Sequence, residues 1–146
     1  MMKSISILMV LTVMLAVTAP ASGQQSVVTL PDVKAAPAYE MLIVKRAAIT
    51  SELAEQRETL TTQHPDVERT GYELSLVNME IEKMLASERS QISKLSRIYG
   101  QLILRKIDLQ VGEHKLRNQL TLTHPDLKKK RIELDAIQQE IDDLLR

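Results

Sequence analysis

The sequence predicts an all-α protein in which one helical hairpin is repeated in tandem. Residues 39–86 align without a gap on residues 99–146 at a constant offset of 60, and both copies carry a central His-Pro-Asp. On both sides of that tripeptide, apolar residues recur at spacings of three and four, which places them on one face of a helix. We therefore expect two tandem antiparallel coiled-coil hairpins.

The repeat is supported by identity at 14 of the 48 aligned positions, where chance would give only a few. Because the alignment has no gap, both copies keep the same register on either side of the break. The identical pairs are Tyr39/Tyr99, Leu42/Leu102, Ile43/Ile103, Arg57/Arg117, Leu60/Leu120, Thr61/Thr121, His64/His124, Pro65/Pro125, Asp66/Asp126, Glu73/Glu133, Leu74/Leu134, Glu80/Glu140, Ile81/Ile141 and Leu85/Leu145.

The central tripeptide predicts the turn of each hairpin. Proline lacks a backbone N–H and keeps the residue before it out of the α conformation, so the preceding helix must stop. Pro65 and Pro125 suit the first turn of a new helix, and the aspartate that follows faces the positive end of the helix dipole. The seam after the turn is predicted to consist of Val67, Thr70, Leu74, Val77, Ile81 and Met84 in the first copy and of Leu127, Lys130, Leu134, Ile137, Ile141 and Leu144 in the second. The seam before the turn is less regular and is predicted to consist of Tyr39, Leu42, Arg46, Ile49, Leu53, Gln56 and Leu60 in the first copy and of Tyr99, Leu102, Lys106, Leu109, Glu113, Leu116 and Leu120 in the second.

The first 23 residues have the pattern of a signal peptide. Lys3 forms a short basic region, Ile5 to Val17 form an apolar stretch, and small residues follow. We expect cleavage before Ser22 or Gln24 and an exported protein, in the periplasm or secreted. The alternative is an uncleaved anchor, but the apolar run is shorter than the roughly 20 residues that a bilayer requires.

The composition excludes several classes of function. The chain has no cysteine, so it can form no disulfide and carries no thiol nucleophile. Its formal net charge is zero, which gives no long-range attraction for nucleic acid. Three tyrosines are the only aromatic residues, a composition that suits helices packed along aliphatic seams. We expect no enzymatic activity, no cofactor and no small-molecule substrate.

Two segments lie outside the hairpins, and the second decides the architecture. Residues 24–38 contain two prolines and no helical stripe, so we expect an extended linker. Residues 87–98 contain neither Gly nor Pro to mark a reversal, so we expect this connector to be helical.

An uninterrupted helix from Asp66 to about Leu122 would be roughly 85 Å long and would make the molecule an elongated rod. The rod would leave Ile92, Leu95 and Ile98 exposed for a second chain. A reversal at residues 87–91 would instead give a four-helix bundle with both tips at one end. We favour the rod, because a tight turn between helices usually needs a residue that tolerates left-handed φ.

Metal binding is the chemistry for which the sequence has the clearest candidate residues, but we expect that no metal site forms. The candidate ligands are His64 and Asp66 at one tip and His124 and Asp126 at the other. Each tip supplies two ligands, whereas a metal site needs three or four. A complete site would require both tips together or two chains.

Two other features are interpreted as surface. His114 has no counterpart in the first copy, and Lys128 to Arg131 form a basic run without aromatic residues beside it. We expect both to lie on solvated helix faces, with no nucleic-acid partner.

The residues around the two tips resemble the coiled-coil tip of polysaccharide chain-length-determinant and exopolysaccharide-transport proteins. Those proteins have two membrane spans around the coiled coil and often a kinase module, whereas this sequence shows one leader and no Gly-rich phosphate loop. The resemblance implies a hairpin in the cell envelope rather than glycan polymerisation. The residues that carry it are Leu60, Thr61, His64-Pro65-Asp66-Val67 and Leu74, with Leu120, Thr121, His124-Pro125-Asp126-Leu127 and Leu134.

Three functions are compatible with exported helical hairpins. We expect a cell-envelope structural or adaptor protein that acts through coiled-coil contacts, either as a homo-oligomer or with another coiled-coil envelope protein. The alternatives are a periplasmic holding chaperone or stress protein, and a periplasmic metal sensor that uses the His/Asp tips. Small envelope chaperones and heavy-metal-resistance sensors are similar in outline, since they too are exported helical hairpins.

Overall fold

Helices account for most of the chain that can be described. The structure is a computed structural model, and it describes residues 32–121 and 123–146. Within those ranges there is no strand, so the all-α prediction is confirmed. The predicted signal peptide and the first part of the predicted linker lie outside the described residues. The elements are a 3-10 helix (Val33–Ala35), α1 (Pro37–Thr59), α2 (Pro65–Leu85), α3 (Arg89–Ile92), α4 (Arg97–Arg117) and α5 (Pro125–Leu145).

Each repeat folds into a hairpin of two long antiparallel helices. α1 packs along α2, and α4 packs along α5, with a short turn between the helices of each pair. Pro65 and Pro125 are the first residues of α2 and α5. A backbone N–H at this position has no acceptor within the helix, so its absence in proline costs no intrahelical hydrogen bond. The two predicted helical hairpins are therefore present.

The chain reverses direction between the two hairpins, so the predicted rod is wrong. α2 ends at Leu85, the connector forms a single helical turn as α3, and α4 begins at Arg97. α4 then packs back against α1 and α2, which makes the molecule a bundle of four long helices. The prediction of a helical connector is correct for one turn only.

The reversal needs no residue with a left-handed backbone conformation, because the change of direction is spread over the eleven residues 86–96. No residue in the described ranges has a positive φ. Ser96 caps α4 by accepting a hydrogen bond from the N–H of Tyr99. Leu95, which the rod would leave exposed, is buried, and its carbonyl accepts a hydrogen bond of 3.4 Å from the N–H of Ala38. Ile92 is half-buried, and of the three residues predicted to be exposed only Ile98 is.

α4 is the central helix of the bundle. It packs against α1, α2 and α5, whereas α5 packs extensively only against α4. Tyr99 and Leu109 of α4 are buried as the predicted seam requires, but Ile103 and Ile107 are buried as well. The prediction misses these two isoleucines because it assigns one seam to each helix, and a central helix has two buried faces.

The end of the predicted linker is folded, so the prediction of an extended segment is wrong for residues 32–38. Asp32 caps the 3-10 helix by accepting a hydrogen bond of 2.9 Å from the N–H of Lys34. The 3-10 helix contacts α1 and α2. Ala36 and Ala38 are buried, and the backbone of Ala38 lies against Gly100 and Leu95. Alanines do not form a recognisable stripe of large apolar side chains, so the sequence pattern does not predict that this segment packs on the core.

Candidate interaction surfaces and hairpin tips

The two tip histidines cap helices. In each copy, Nδ1 of the ring accepts a hydrogen bond from the backbone N–H two residues later, at 3.2 Å from Asp66 to His64 and at 3.3 Å from Asp126 to His124. The first N–H groups of a helix have no partner within the helix, so an acceptor at this position stabilises the helix start. The sequence predicts the turn but does not predict this role for the ring.

The same geometry places each candidate metal-ligating pair side by side. Nδ1 of His64 lies 3.7 Å from Oδ2 of Asp66, and Nδ1 of His124 lies 3.6 Å from Oδ2 of Asp126. No cluster of three or more His, Cys, Asp or Glu side chains that could hold a metal ion occurs in residues 32–121 and 123–146. A metal site at a tip would therefore need ligands from outside these residues or from a second molecule.

Both tips lie at the same end of the bundle. Tyr72, in the second turn of α2, stacks on His114, near the end of α4, with ring centroids 4.3 Å apart and planes inclined by 24°. His114 is therefore half-buried and joins the two hairpins, so its prediction as a surface residue is wrong. A groove of about 130 Å³ lies beside this pair, lined by Pro65, Asp66, Glu68, Arg69, His114, Lys115, Asn118 and Gln119.

A buried ion pair also joins the two hairpins. The carboxylate of Glu80 on α2, only 5 % exposed, lies 3.1 Å from Nζ of Lys106 on α4 and 3.0 Å from Nζ of Lys83. Two cations compensate for the loss of water around one buried carboxylate, and a single partner would do so less well. The apolar spacing of the sequence does not predict that Glu80 is buried. The signal for it is a glutamate conserved between the two repeats within a row of apolar residues.

Burial and ion pairing shift the pKa of two groups. For Lys45, burial lowers the pKa, but the hydrogen bond to Glu73 at 2.6 Å and the surrounding carboxylates outweigh burial and raise the pKa above its ordinary 10.5. For Tyr99, burial raises the pKa above its ordinary 10.0, and the carboxylates of Glu80 and Asp142 raise it further. Both groups are therefore in their protonated forms at neutral pH.

Part of the basic run belongs to the packing of the second hairpin. Nε of Arg131 on α5 lies 3.0 Å from Oε1 of Glu113 on α4, and Lys130 lies 3.5 Å from Glu133. Lys128 and Lys129 are exposed. Carboxylates thus neutralise half of the run, which leaves little concentrated positive charge for an anionic partner.

Two open grooves carry exposed apolar side chains. The α1/α4 groove, of about 620 Å³, contains Val44, which is 70 % exposed, together with Met41 and Leu104. The α4/α5 groove, of about 380 Å³, contains Ile98, Leu102 and Leu144, with Glu140 and Asp143 at its edge. Exposed apolar patches with charged rims are typical of sites that bind other proteins.

Comparison with protein-family models, curated proteins and solved structures found no match to this chain. Among the described residues, no helix combines the length and the apolar character needed to cross a bilayer. The candidate surfaces are the tip end, with its two capped helices, and the two apolar grooves along the bundle.

Proposed function

We propose that this chain is a structural or adaptor protein of the bacterial cell envelope, exported by its leader, that acts through helix–helix contacts and not through catalysis. The observation that supports this proposal is the exposure of apolar side chains along grooves between helices that are themselves well packed. A rigid helical scaffold with an open apolar groove is suited to bind another helix.

The α1/α4 groove is the surface that best fits this role. Pro37, Met41, Val44 and Ala48 line its α1 side at spacings of four, three and four, so they form one stripe. Glu40 and Arg97 flank the stripe and provide charges of both signs at its rim, whereas Lys45, which also lines the groove, is paired with Glu73. An amphipathic helix with an apolar stripe and mixed flanking charges would match this groove.

A holding chaperone is the second candidate, and the same groove favours it. Met41 is a flexible, polarisable side chain that adapts to different apolar surfaces. A groove that is open and lined by such residues could bind unfolded clients of many sequences. The two functions therefore differ in the number of partners that occupy the groove.

Site-specific photo-crosslinking in living cells tests the proposal. A photoreactive residue at Ala48, exposed in the groove, should capture one envelope protein in near-stoichiometric amount. The control is the same residue at Met79, which is also exposed but lies on α2 outside the groove-lining residues. Many products of different mass at Ala48 would instead support the chaperone, and equal products at both positions would contradict a specific groove.

Export is tested by the amino terminus of the protein in cells. Chain recovered from the cell envelope or the medium should begin at Ser22 or Gln24, because the leader is removed during export. Protein that keeps Met1 and remains in the cytoplasm would contradict an envelope function.

A further inference from the structure

A row of residues on α2 is covered by α4, whereas its repeat copy on α5 is open. The α2 row consists of Tyr72, Leu76, Glu80 and Met84, and the α5 row, 60 residues later, consists of Ile132, Ala136, Glu140 and Leu144. Residues spaced by four form a ridge on a helix surface. The two rows therefore occupy equivalent ridges of equivalent helices.

The burial of the two rows is opposite. In the α2 row, Leu76 and Met84 are 6 % and 1 % exposed, and Glu80 is paired with Lys106 of α4. In the α5 row, Ile132 and Leu144 are 69 % and 38 % exposed, and Ala136 and Glu140 are exposed as well. The α5 row thus retains the apolar character and the single glutamate of a docking ridge, but nothing in the described chain covers it.

The helix that covers the α2 row also has a repeat copy. On α4, Lys106 pairs with Glu80, and Ile103 and Ile107, which helical spacing places beside Lys106, are fully buried. The equivalent residues of α1 are Ile43, Arg46 and Ala47, which we call the α1 face. Arg46 and Ala47 are exposed and Ile43 is half-buried.

We propose that the α1 face of one chain docks on the α5 row of a second copy, as α4 docks on the α2 row within the chain. One charge pair and the apolar character of the internal contact are preserved at both surfaces, whereas the second cation beside Glu80, Lys83, has Asp143 as its counterpart. The pair Glu80 and Lys106, at 3.1 Å, has its counterpart in Glu140 of one copy and Arg46 of the other. Ile43 and Ala47 supply the apolar part that Ile103 and Ile107 supply within the chain.

This contact joins two different surfaces, so it does not close on itself in a dimer. An open assembly of such contacts still has one free α1 face at one end and one free α5 row at the other, so the association continues until it closes as a ring or extends as an open filament. The arrangement is that of a repeat protein whose terminal repeats lack polar caps. The inference goes beyond the proposed function, because an adaptor could bind its partner as a monomer.

One position makes the contact between copies weaker than the contact within the chain. Inside the molecule, Gly100 of α4 allows close approach to Ala38 of α1. In the contact between copies, Glu40 of one copy takes the place of Gly100, and Ile98 of the other copy takes the place of Ala38. Both side chains are larger than those they replace, and both are exposed. The helices must therefore stand farther apart at this end. We expect association that depends on protein concentration.

Exchange of the two charges tests the contact. The full chain, purified from the cells that make it, should show an increase in sedimentation coefficient with concentration. Arg46→Glu or Glu140→Arg places like charges opposite each other, and each should weaken association about tenfold or more. The double variant Arg46→Glu/Glu140→Arg restores opposite charges and should restore association.

A mixture of the two single variants should also associate, because each supplies the charge that the other needs. Glu82→Arg, at an exposed position of α2 that belongs to neither surface, is the charge-matched control and should associate like the wild type. Because Arg46 and Glu140 are exposed, all variants should keep the helical circular-dichroism signal and the melting temperature measured in dilute solution.

Three results would overturn the inference: a wild-type chain that stays monomeric up to about millimolar concentration, single variants that associate normally, or a double variant that fails to recover. The adaptor function would survive each of them, since it depends on a partner captured from Ala48 of the α1/α4 groove. Conversely, a lack of crosslinks at Ala48 would leave self-association untouched.

Discussion

At each hairpin tip, a histidine ring takes the place that a serine, threonine or asparagine side chain usually occupies at a helix start. The sequence indicates a turn there through proline and aspartate. It does not indicate the acceptor role of Nδ1, because histidine before proline is not a usual capping pattern. The role follows from the extended backbone of His64, with φ −67° and ψ 136°, which brings the ring over the first N–H groups of α2.

Replacing His64 separates capping from metal binding. His64→Ala should lower the free energy of unfolding by about 0.5–2 kcal/mol, whereas His64→Asn, which keeps an acceptor, should be close to wild type. Thermal unfolding in the presence of a chelator measures both variants. If zinc instead raises the wild-type melting temperature and neither variant responds to zinc, the ring is a ligand and the capping interpretation is insufficient.

Alkaline pH should destabilise the fold through Tyr99 and Lys45. The pKa of each group is raised by folding, from ordinary values of 10.0 and 10.5, so the folded state binds protons more tightly than the unfolded state. Their contribution to stability is complete below about pH 10 and is lost as pH rises through the folded pKa values. Denaturant unfolding at a series of pH values measures the loss.

Tyr99→Phe removes one of these two groups and should flatten the decline in the free energy of unfolding above pH 10. Tyr39→Phe is the matched control, because it changes the same atom at the equivalent position of the first repeat. A decline of the same steepness in wild type and in Tyr99→Phe would show that the hydroxyl of Tyr99 is not responsible.

At the scale of the helices, Gly100 sets the distance between the hairpins. A methyl group at this position would lie 2.9 Å from the Cα of Ala38 and 2.9 Å from Sδ of Met41. The sulfur can move, but the backbone of α1 cannot move without separating α1 from α4. Glycine within a helix is otherwise unfavourable by about 1 kcal/mol relative to alanine, so its presence here reflects the close approach.

The glycines of the two repeats provide a matched pair of variants. Gly71→Ala, in α2, meets no atom within 4 Å, so it should stabilise the protein by about 0.5–1 kcal/mol through helix propensity. Gly100→Ala should instead destabilise by about 1–3 kcal/mol, because overpacking outweighs the same gain. Equal effects of the two substitutions on the urea midpoint would contradict the close contact between α1 and α4.

The helices themselves were largely predictable, and α4 shows where prediction stops. Hairpin turns and one seam per helix follow from proline and from apolar spacing, and Val67, Val77 and Ile81 are buried as expected. Leu144, which is predicted to end the seam of the second copy, is instead 38 % exposed, so the prediction is wrong at that position. A second buried face on α4 could have been suspected from Ile103 and Ile107, which lie beside the assigned seam. Periodicity identifies a face as apolar, but it does not say which other helix covers it.

At the scale of the molecule, the arrangement of the hairpins was the part that the sequence concealed. The choice between rod and bundle depended on the connector, where polar residues and the absence of Gly and Pro favoured a continuous helix. The connector turns because Leu95 is buried in the core and Ser96 caps α4. Leu95 is hydrogen-bonded through its carbonyl to Ala38, which is distant in the sequence, so no local pattern reveals that the connector folds back here.

We expect α5 to detach while the other three long helices remain packed, because α5 packs extensively only against α4. Only Leu127 and Ile141 of α5 are buried, whereas five residues of α4 are. Local unfolding should therefore begin at the carboxyl-terminal helix. Amide hydrogen exchange should be fastest in α5 and slowest in α4 among the long helices. Uniform exchange across all four would indicate a single cooperative unit.

In a head-to-tail assembly, a second helix would cover α5. Slower amide exchange that is confined to α5 and occurs only at high protein concentration would therefore show that the α5 row is occupied.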